Sequence, residues 1–218
     1  MGNITASDKK QNTQADFLPL QGTDYVVFYV GNAKQAAHYY MSAFGFQALA
    51  YAGPETGVKD RASYAVRQNK LTLALTTPIR PNNEMADHIY KHGDGVKALA
   101  LLVDDATSAW RETTERGARS YMAPQRTKDE DGEVVTSGIH TYGDTVHLFI
   151  ERKNYKGQFM PGYREWSNPY YQPTGTGLLY VDHCVGNVGW NQMNPWVNFY
   201  QDVMGFRNIL TFDDKDIS

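Results

Sequence analysis

The fold of this chain is decided by residues 24–46, which read DYVVFYVGNAKQAAHYYMSAFGF. The six apolar residues 25–30 predict a buried strand. Residues 33–44 carry apolar side chains at helical spacing, and Gly45 supplies a left-handed residue where the helix ends. Three more strands are predicted at 47–51, 62–67 and 71–76, which makes the order of elements βαβββ.

The same order of elements recurs further along the chain. A strand at 98–103 precedes a helix that begins at Asp104 or Asp105, ends at Arg116 and is stopped by Gly117. Strands are predicted at 119–122, 133–142 and 145–151, with a turn at Asp131-Gly132. A connecting helix at 83–92 joins the two units.

After a stretch rich in proline, glycine and tyrosine, a third unit begins. It consists of a strand at 178–185, a helix at 195–204 and a strand at 206–212. We therefore predict an α+β fold built from repeated βαβββ modules, two of them complete and the third only begun. The predicted organisation is a flexible N-terminal arm at 1–22, a structural domain at 23–152, a linker at 153–177 and the start of a catalytic domain at 178–218.

Composition excludes several classes of protein. The 218 residues are 41% hydrophobic and 21% charged, with a formal charge of -3, so the chain is not predominantly disordered and has no basic surface suited to nucleic acid. No apolar run approaches the roughly 20 residues of a membrane span. The polar N-terminus and the single Cys184 predict a cytoplasmic protein without disulfides.

The third unit resembles the first in sequence. Val185-Gly186-Asn187 aligns with Val30-Gly31-Asn32, and a tyrosine, a glycine and a phenylalanine align downstream, which indicates duplication. In this alignment His183 falls opposite Phe28. One copy therefore carries a side chain able to bind metal where the other carries an apolar ring.

The segment YVDHCVGNV at 180–188 and the segment VGNAKQAAHYY at 30–40 together resemble the 4-hydroxyphenylpyruvate dioxygenase family, as do GDGV at 93–96 and MPGY at 160–163. Proteins of that family are built from βαβββ modules of the vicinal oxygen chelate superfamily. The resemblance implies an Fe(II) site of two histidines and one glutamate, with His183 as the first ligand. It also implies that Val185, two residues on, lies beside the iron pocket.

The resemblance further implies the activity. Such an enzyme converts 4-hydroxyphenylpyruvate and O2 to homogentisate and CO2 in tyrosine catabolism, and it forms dimers or tetramers. The other two ligands are expected beyond Ser218, so the 218-residue piece alone is predicted to be inactive. The family spacing puts the second-histidine position of the N-terminal domain at Ala98, which, with Phe28, predicts a structural domain.

Two alternatives stay open at the level of sequence. One is 4-hydroxymandelate synthase, which uses the same substrate and metal but hydroxylates the benzylic carbon. The other is a non-catalytic binding module that kept the vicinal oxygen chelate fold. Finding the remaining ligands would separate enzyme from module, and the identity of the product would separate the two enzymes.

Other candidate sites have simpler interpretations. His88 and His92 are spaced i, i+4, but His92 stands at a helix C-terminus, which favours an imidazolium there. A hairpin with a Gly143-Asp144 turn would bring His140 opposite His147, and Glu151 lies too far along the strand to share a metal, so a cross-strand surface pair is predicted. The acidic residues 129–131 are predicted to form a solvated turn. The aromatic residues of the third unit are predicted to pack its helix against its own sheet: Trp190, Trp196, Phe199 and Tyr200.

Overall fold

A computed structural model describes residues 16–167 and 171–210. Its first module contains β1 (Leu20–Tyr29), α1 (Ala33–Phe44), β2 (Gln47–Ala52), β3 (Arg61–Gln68) and β4 (Leu71–Pro78). After the connecting helix α2 (Glu84–His92), the second module contains β5 (Gly95–Val103), α3 (Ala106–Glu115), β6 (Ser120–Asp129), β7 (Gly132–His140) and β8 (Val146–Glu151). The predicted order of elements is confirmed in both modules.

Both modules share one nine-stranded sheet, in the order β6-β7-β8-β5-β1-β4-β3-β2-β9, where β9 is the short strand Arg164–Glu165. Within each module the first and last strands pair in parallel, β1 with β4 and β5 with β8. The modules join where β1 and β5 pair antiparallel. Each module therefore presents the same strand order outward from this central seam.

The first three helices begin at side-chain N-caps, and α1 ends at a left-handed glycine. The side chain of Asn32 caps α1 by accepting from the Gln35 amide at 3.0 Å, and Gly45 ends it with φ +72°. Asn83 and Asp105 cap α2 and α3 in the same way. Of these three caps, only the one on α3 was predicted from the sequence, at Asp104 or Asp105.

The edge strand of the second module is much longer than predicted. β6 continues from Ser120 to Asp129, whereas the sequence suggested a strand over 119–122 only. Its outer residues are exposed and polar because β6 lies at the edge of the sheet and pairs only with β7. The apolar pattern that reveals a strand is therefore missing there. The acidic residues 129–131 do form the turn between β6 and β7, as predicted.

The predicted N-terminal arm extends too far. Leu18 is buried against the outer core of the second module, and β1 already begins at Leu20. Residues 1–15 of the arm lie outside the described residues. Strand β1 starts early because Leu20 pairs with Val103 at the end of β5, a partner that is remote in sequence.

The third unit differs most from its prediction. Helix α4 runs from Met193 to Asp202, two residues earlier than predicted at each end, because Pro195 is tolerated in the first turn of a helix. No strand forms over 178–185 or 206–210, and residues 211–212 lie outside the described residues. No strand ladder forms at the start of this segment because the carbonyls of Leu178 and Leu179 accept from the side chain of Asn69 and the amide of Lys70, in the turn after β3, and not from a neighbouring strand.

Candidate functional site

The predicted metal ligand His183 lies in an exposed, extended segment. Its side chain is 74% exposed, and Nδ1 lies 2.7 Å from Oδ2 of Asp182. Because an ionised carboxylate only accepts, this contact puts the proton of a neutral imidazole on Nδ1 and leaves the lone pair on Nε2. A carboxylate behind one ring nitrogen is the usual arrangement of metal-binding histidines, so His183 fits one ligand position.

The structure does not complete a metal centre around His183. The described residues contain no group of three His, Cys, Asp or Glu side chains that could hold a metal ion. Val185, predicted to lie beside the iron pocket, is 81% exposed. Cys184 is a free, exposed thiol.

The corresponding positions of the first two modules are apolar. Phe28 packs against Tyr40 of α1, with ring centroids 5.9 Å apart, and Ala98 is buried on β5 opposite Val27. Neither side chain has an atom that binds a metal. Iron therefore has no ligand at these two positions.

The inner face of the sheet is lined with alanine. Ala50, Ala65 and Ala74 lie side by side on β2, β3 and β4, and Ala100 pairs with Tyr25 across the seam between the modules. All four alanines are buried in one cluster. Four methyl groups leave a hollow that larger side chains from elsewhere must fill.

Segment 152–165 fills this hollow. Phe159 is 2% exposed and makes edge contacts with the rings of Tyr25 and Tyr163, at 5.0 and 4.9 Å. The hydroxyl of Tyr163 lies 2.8 Å from Oγ of Ser63, which in turn lies 2.8 Å from Oγ1 of Thr76. Chain from the predicted linker thus fills the alanine-lined inner face of the sheet.

An ion pair holds that segment in place. Arg152 Nη2 lies 2.6 Å from Oδ2 of Asp24, and Nη1 donates to the carbonyl of Phe159 at 2.6 Å. Burial raises the pKa of Asp24 even though the charge of Arg152 opposes the shift. The pair is therefore a structural element at the base of β1.

His147 is buried on β8, and the predicted surface pair with His140 is wrong. The register pairs His147 with Ile139, so His140 lies opposite Val146. His147 Nε2 lies 2.9 Å from the hydroxyl oxygen of Tyr200 on α4, and no described residue gives Nδ1 a well-formed hydrogen bond. Burial lowers the pKa of His147 to about 4, and the backbone at Leu99 offsets only part of that shift.

Helix α4 packs on the second module. The predicted packing of its aromatic residues against their own sheet is therefore wrong. Trp196 and Tyr200 contact the ring of Tyr142, and Phe199 packs against the outer core of the second module. Trp190 is 96% exposed and takes no part.

The histidines of α2 belong to a polar cluster at the start of β5. His92 Nε2 and Lys91 Nζ both lie within 2.8 Å of Oδ2 of Asp144, and these two partners lower the pKa of that carboxyl. The ring of His88 stacks edge-on against Tyr29. His92 therefore has a carboxylate partner within the fold.

Lys97, a buried member of this cluster, was not predicted from the sequence. Its Nζ donates to the carbonyl of Asp144 at 2.8 Å and lies 3.4 Å from Oε1 of Glu84. The rings of Tyr29 and Tyr121 lie 5.8 and 5.6 Å away. A lysine inside the apolar run 95–103 was the available signal, because a buried ammonium needs partners.

Comparison with known proteins places the chain in a class. Residues 22–149 match the model of the Glyoxalase/Bleomycin resistance protein/Dioxygenase superfamily, and the chain belongs to that superfamily. Within it, 4-hydroxyphenylpyruvate dioxygenase of Coccidioides posadasii is 40% identical over 220 residues, which cover 93% of this chain and 55% of the relative. The enzyme of the same name from Dictyostelium discoideum is 42% identical over 203 residues, which cover 91% of this chain and 55% of the relative.

This chain thus spans about half the length of the curated relatives that it matches. Among solved structures, a mutant of 4-hydroxymandelate synthase from Streptomyces coelicolor matches with a TM-score of 0.71 at 24% identity, covering 86% of this chain and 53% of that one. This likeness supports the fold alone. In the part of the chain that the structure describes, every helix is too short or too polar to cross a bilayer.

Proposed function

We propose that this chain is the N-terminal half of an Fe(II)-dependent dioxygenase that converts 4-hydroxyphenylpyruvate and O2 to homogentisate and CO2. The observation that carries the proposal is the 40–42% identity to enzymes of that name over 91–93% of this chain. On this proposal residues 23–152 form a structural domain, 153–177 a linker and 178–218 the start of the catalytic domain. The place of the reaction in tyrosine catabolism and a cytoplasmic, oligomeric enzyme belong to the same proposal.

His183 is the residue of this chain that we assign to the iron. Asp182 orients the ring through Nδ1, which leaves Nε2 to bind the metal. Ferrous iron, when bound, supplies the site at which a 2-oxo acid and O2 react. Val185, two residues further on, is proposed to line the pocket for the substrate ring.

The two complete modules have a supporting role in this proposal. Their inner face is filled by Phe159 and Tyr163, and Phe28 and Ala98 offer no metal ligand. The substrate is therefore expected to bind in the catalytic domain that begins near Leu178. The N-terminal modules give that domain a rigid surface to fold against.

The test uses the complete protein and the variant His183→Ala, with His38→Ala as the control because His38 is exposed on α1. We expect His183→Ala to lose bound iron, measured by elemental analysis after dialysis, and His38→Ala to keep it. Equal iron content in the wild type and His183→Ala would reject the ligand assignment. Chromatography of the product separates homogentisate from hydroxymandelate, and a protein that makes neither and holds no iron is the non-catalytic module.

A further inference from the structure

Gln68, the last residue of β3, is a buried amide that uses both of its ends. The residue is only 6% exposed, which is uncommon for glutamine. Its Nε2 donates to the carbonyl of Phe44 at the end of α1, at 2.6 Å. Its Oε1 accepts from the amides of Gly177 and Leu178, at 2.9 and 3.1 Å. A backbone carbonyl only accepts and a backbone N–H only donates. These partners therefore fix which end of the Gln68 side-chain amide is the oxygen and which is the nitrogen.

The neighbours of Gln68 hold the same segment. Asn69 Nδ2 donates to the carbonyl of Leu178 at 2.5 Å, and the amide of Lys70 donates to the carbonyl of Leu179 at 2.9 Å. The turn between β3 and β4 thus binds three consecutive residues, 177–179, through their backbone. Side-chain variation in the segment would leave these contacts intact.

Upstream, the segment lies against the end of α1. Gln47 Nε2 donates to the carbonyl of Pro173 at 2.5 Å. Gly45 allows a close approach, since a Cβ built there would stand 2.3 Å from the carbonyl oxygen of Thr174. The first module therefore holds the chain continuously from residue 173 to residue 179.

His183 follows only four residues after Leu179. Four residues of extended chain reach at most about 14 Å. Because the first module holds the chain up to Leu179, it limits the positions that the imidazole of His183 can take. We propose that Gln68 is a positioning residue for His183: it fixes the start of the segment that carries the ligand. This inference rests on the proposed function, because it needs His183 to bind iron.

A purely structural role for Gln68 makes a different prediction, and two substitutions separate the roles. Gln68→Glu keeps an acceptor for the amides of Gly177 and Leu178 but cannot donate to the carbonyl of Phe44. Gln68→Ala loses both contacts. If Gln68 only stabilises the end of α1, the two variants behave alike. If it positions His183, Gln68→Glu keeps iron binding and Gln68→Ala does not.

The experiment measures the dissociation constant for ferrous iron of the complete protein by competition with a chelator. We expect Gln68→Ala to bind iron about tenfold more weakly than the wild type, a loss typical of residues that orient a ligand, and Gln68→Glu to stay within about twofold. Ser137→Ala is the stability control. It removes a buried hydrogen bond to the carbonyl of Ala106 in the other module, and it should leave iron affinity unchanged.

Each other outcome has a definite meaning. Wild-type affinity in Gln68→Ala, or equal losses in Gln68→Ala and Gln68→Glu, overturns the positioning role while His183→Ala still reports on the proposed function. Wild-type affinity in His183→Ala overturns both proposals. If Gln68→Ala does not fold, Asn69→Gly replaces it, because glycine retains the left-handed backbone at φ +53° and removes only the contact to Leu178. An unchanged iron affinity in Asn69→Gly then contradicts the proposal that the hold on residues 177–179 positions His183.

Discussion

Nε2 of the buried His147 lies 2.9 Å from the hydroxyl oxygen of Tyr200, and this contact joins the sheet of the second module to helix α4. The imidazole is neutral in the folded state because burial lowers its pKa to about 4 from an ordinary 6.5. In the unfolded chain His147 therefore takes up a proton as the pH falls through about 6.5, whereas in the folded chain it takes up that proton only near pH 4. This contribution to stability is complete above pH 6.5 and declines as the pH falls towards 4.

We expect the free energy of unfolding of the wild type to fall by roughly 2 kcal/mol from this group alone between about pH 7.5 and pH 5. Urea unfolding at several pH values measures it. His147→Gln should show a shallower decline over the same range, and His38→Gln, an exposed control, should follow the wild type. Parallel curves for the wild type and His147→Gln would show that His147 does not titrate in this way.

The ion pair between Asp24 and Arg152 should be costly to break from one side. In Arg152→Met the partly buried carboxylate of Asp24 loses its partner, so we expect a loss of about 2 kcal/mol in the free energy of unfolding, less than the roughly 3–5 kcal/mol of a fully buried pair. Asp24→Asn in the Arg152→Met background should recover part of that loss. As a control, Arg126→Met breaks the exposed pair with Glu133 and should cost less than about 1 kcal/mol. Similar losses in the two single variants would contradict the structural role of the pair between Asp24 and Arg152.

Phe159 should contribute strongly to stability because it fills the alanine-lined hollow. Phe159→Ala leaves a cavity between Tyr25 and Tyr163, and we expect the free energy of unfolding to fall by about 4 kcal/mol. Trp190→Ala, at a position 96% exposed, should change stability by less than about 0.5 kcal/mol. Chemical denaturation measures both, and a small effect of Phe159→Ala would mean that the inner face is closed by other residues.

Gly132 should tolerate no side chain. Its φ is +128°, and a Cβ would stand 2.0 Å from the carbonyl oxygen of Asn154, so Gly132→Ala combines backbone strain with a backbone clash. We expect a loss of at least about 3 kcal/mol in thermal unfolding experiments. Gly57→Ala is the matched control, with φ +92° and open space around the Cβ, and should cost only about 1 kcal/mol. Equal losses of stability in Gly132→Ala and Gly57→Ala would show that the backbone at Asn154 moves to make room for the added methyl group.

The sequence predicted the modules well because their signals are local. The glycine after α1 ends that helix as predicted, and of the two caps considered for α3, Asp104 and Asp105, the structure uses Asp105. The strands of the first module also follow from their short apolar runs. The edge strand β6 was predicted much too short, since its exposed residues carry no apolar pattern, and β1 and β5 both begin earlier than predicted.

The sequence was less informative wherever a remote partner decides the outcome. The burial of His147 depends on α4, more than fifty residues away, and the burial of Lys97 depends on Glu84 and Asp144. The predicted strand at 178–185 was read from composition, but its carbonyls at Leu178 and Leu179 bond to the turn after β3 instead. In each case the residue can be found in the sequence, but the partner that it contacts in the fold cannot be predicted from it.

The amino-acid sequence alone determined the βαβββ order of the two modules, because periodicity and helix stops are properties of neighbouring residues. The duplication of the third unit and the role of His183 as an iron ligand stay predictions, drawn from repeated motifs and from a family resemblance. Only the tertiary structure decided that Phe159 and Tyr163 close the inner face and that Gln68 holds the segment before His183. Both depend on chain segments that are separated by about a hundred residues and meet only when the sheet has formed. Packing and hydrogen bonding between such segments have no periodic trace in the sequence.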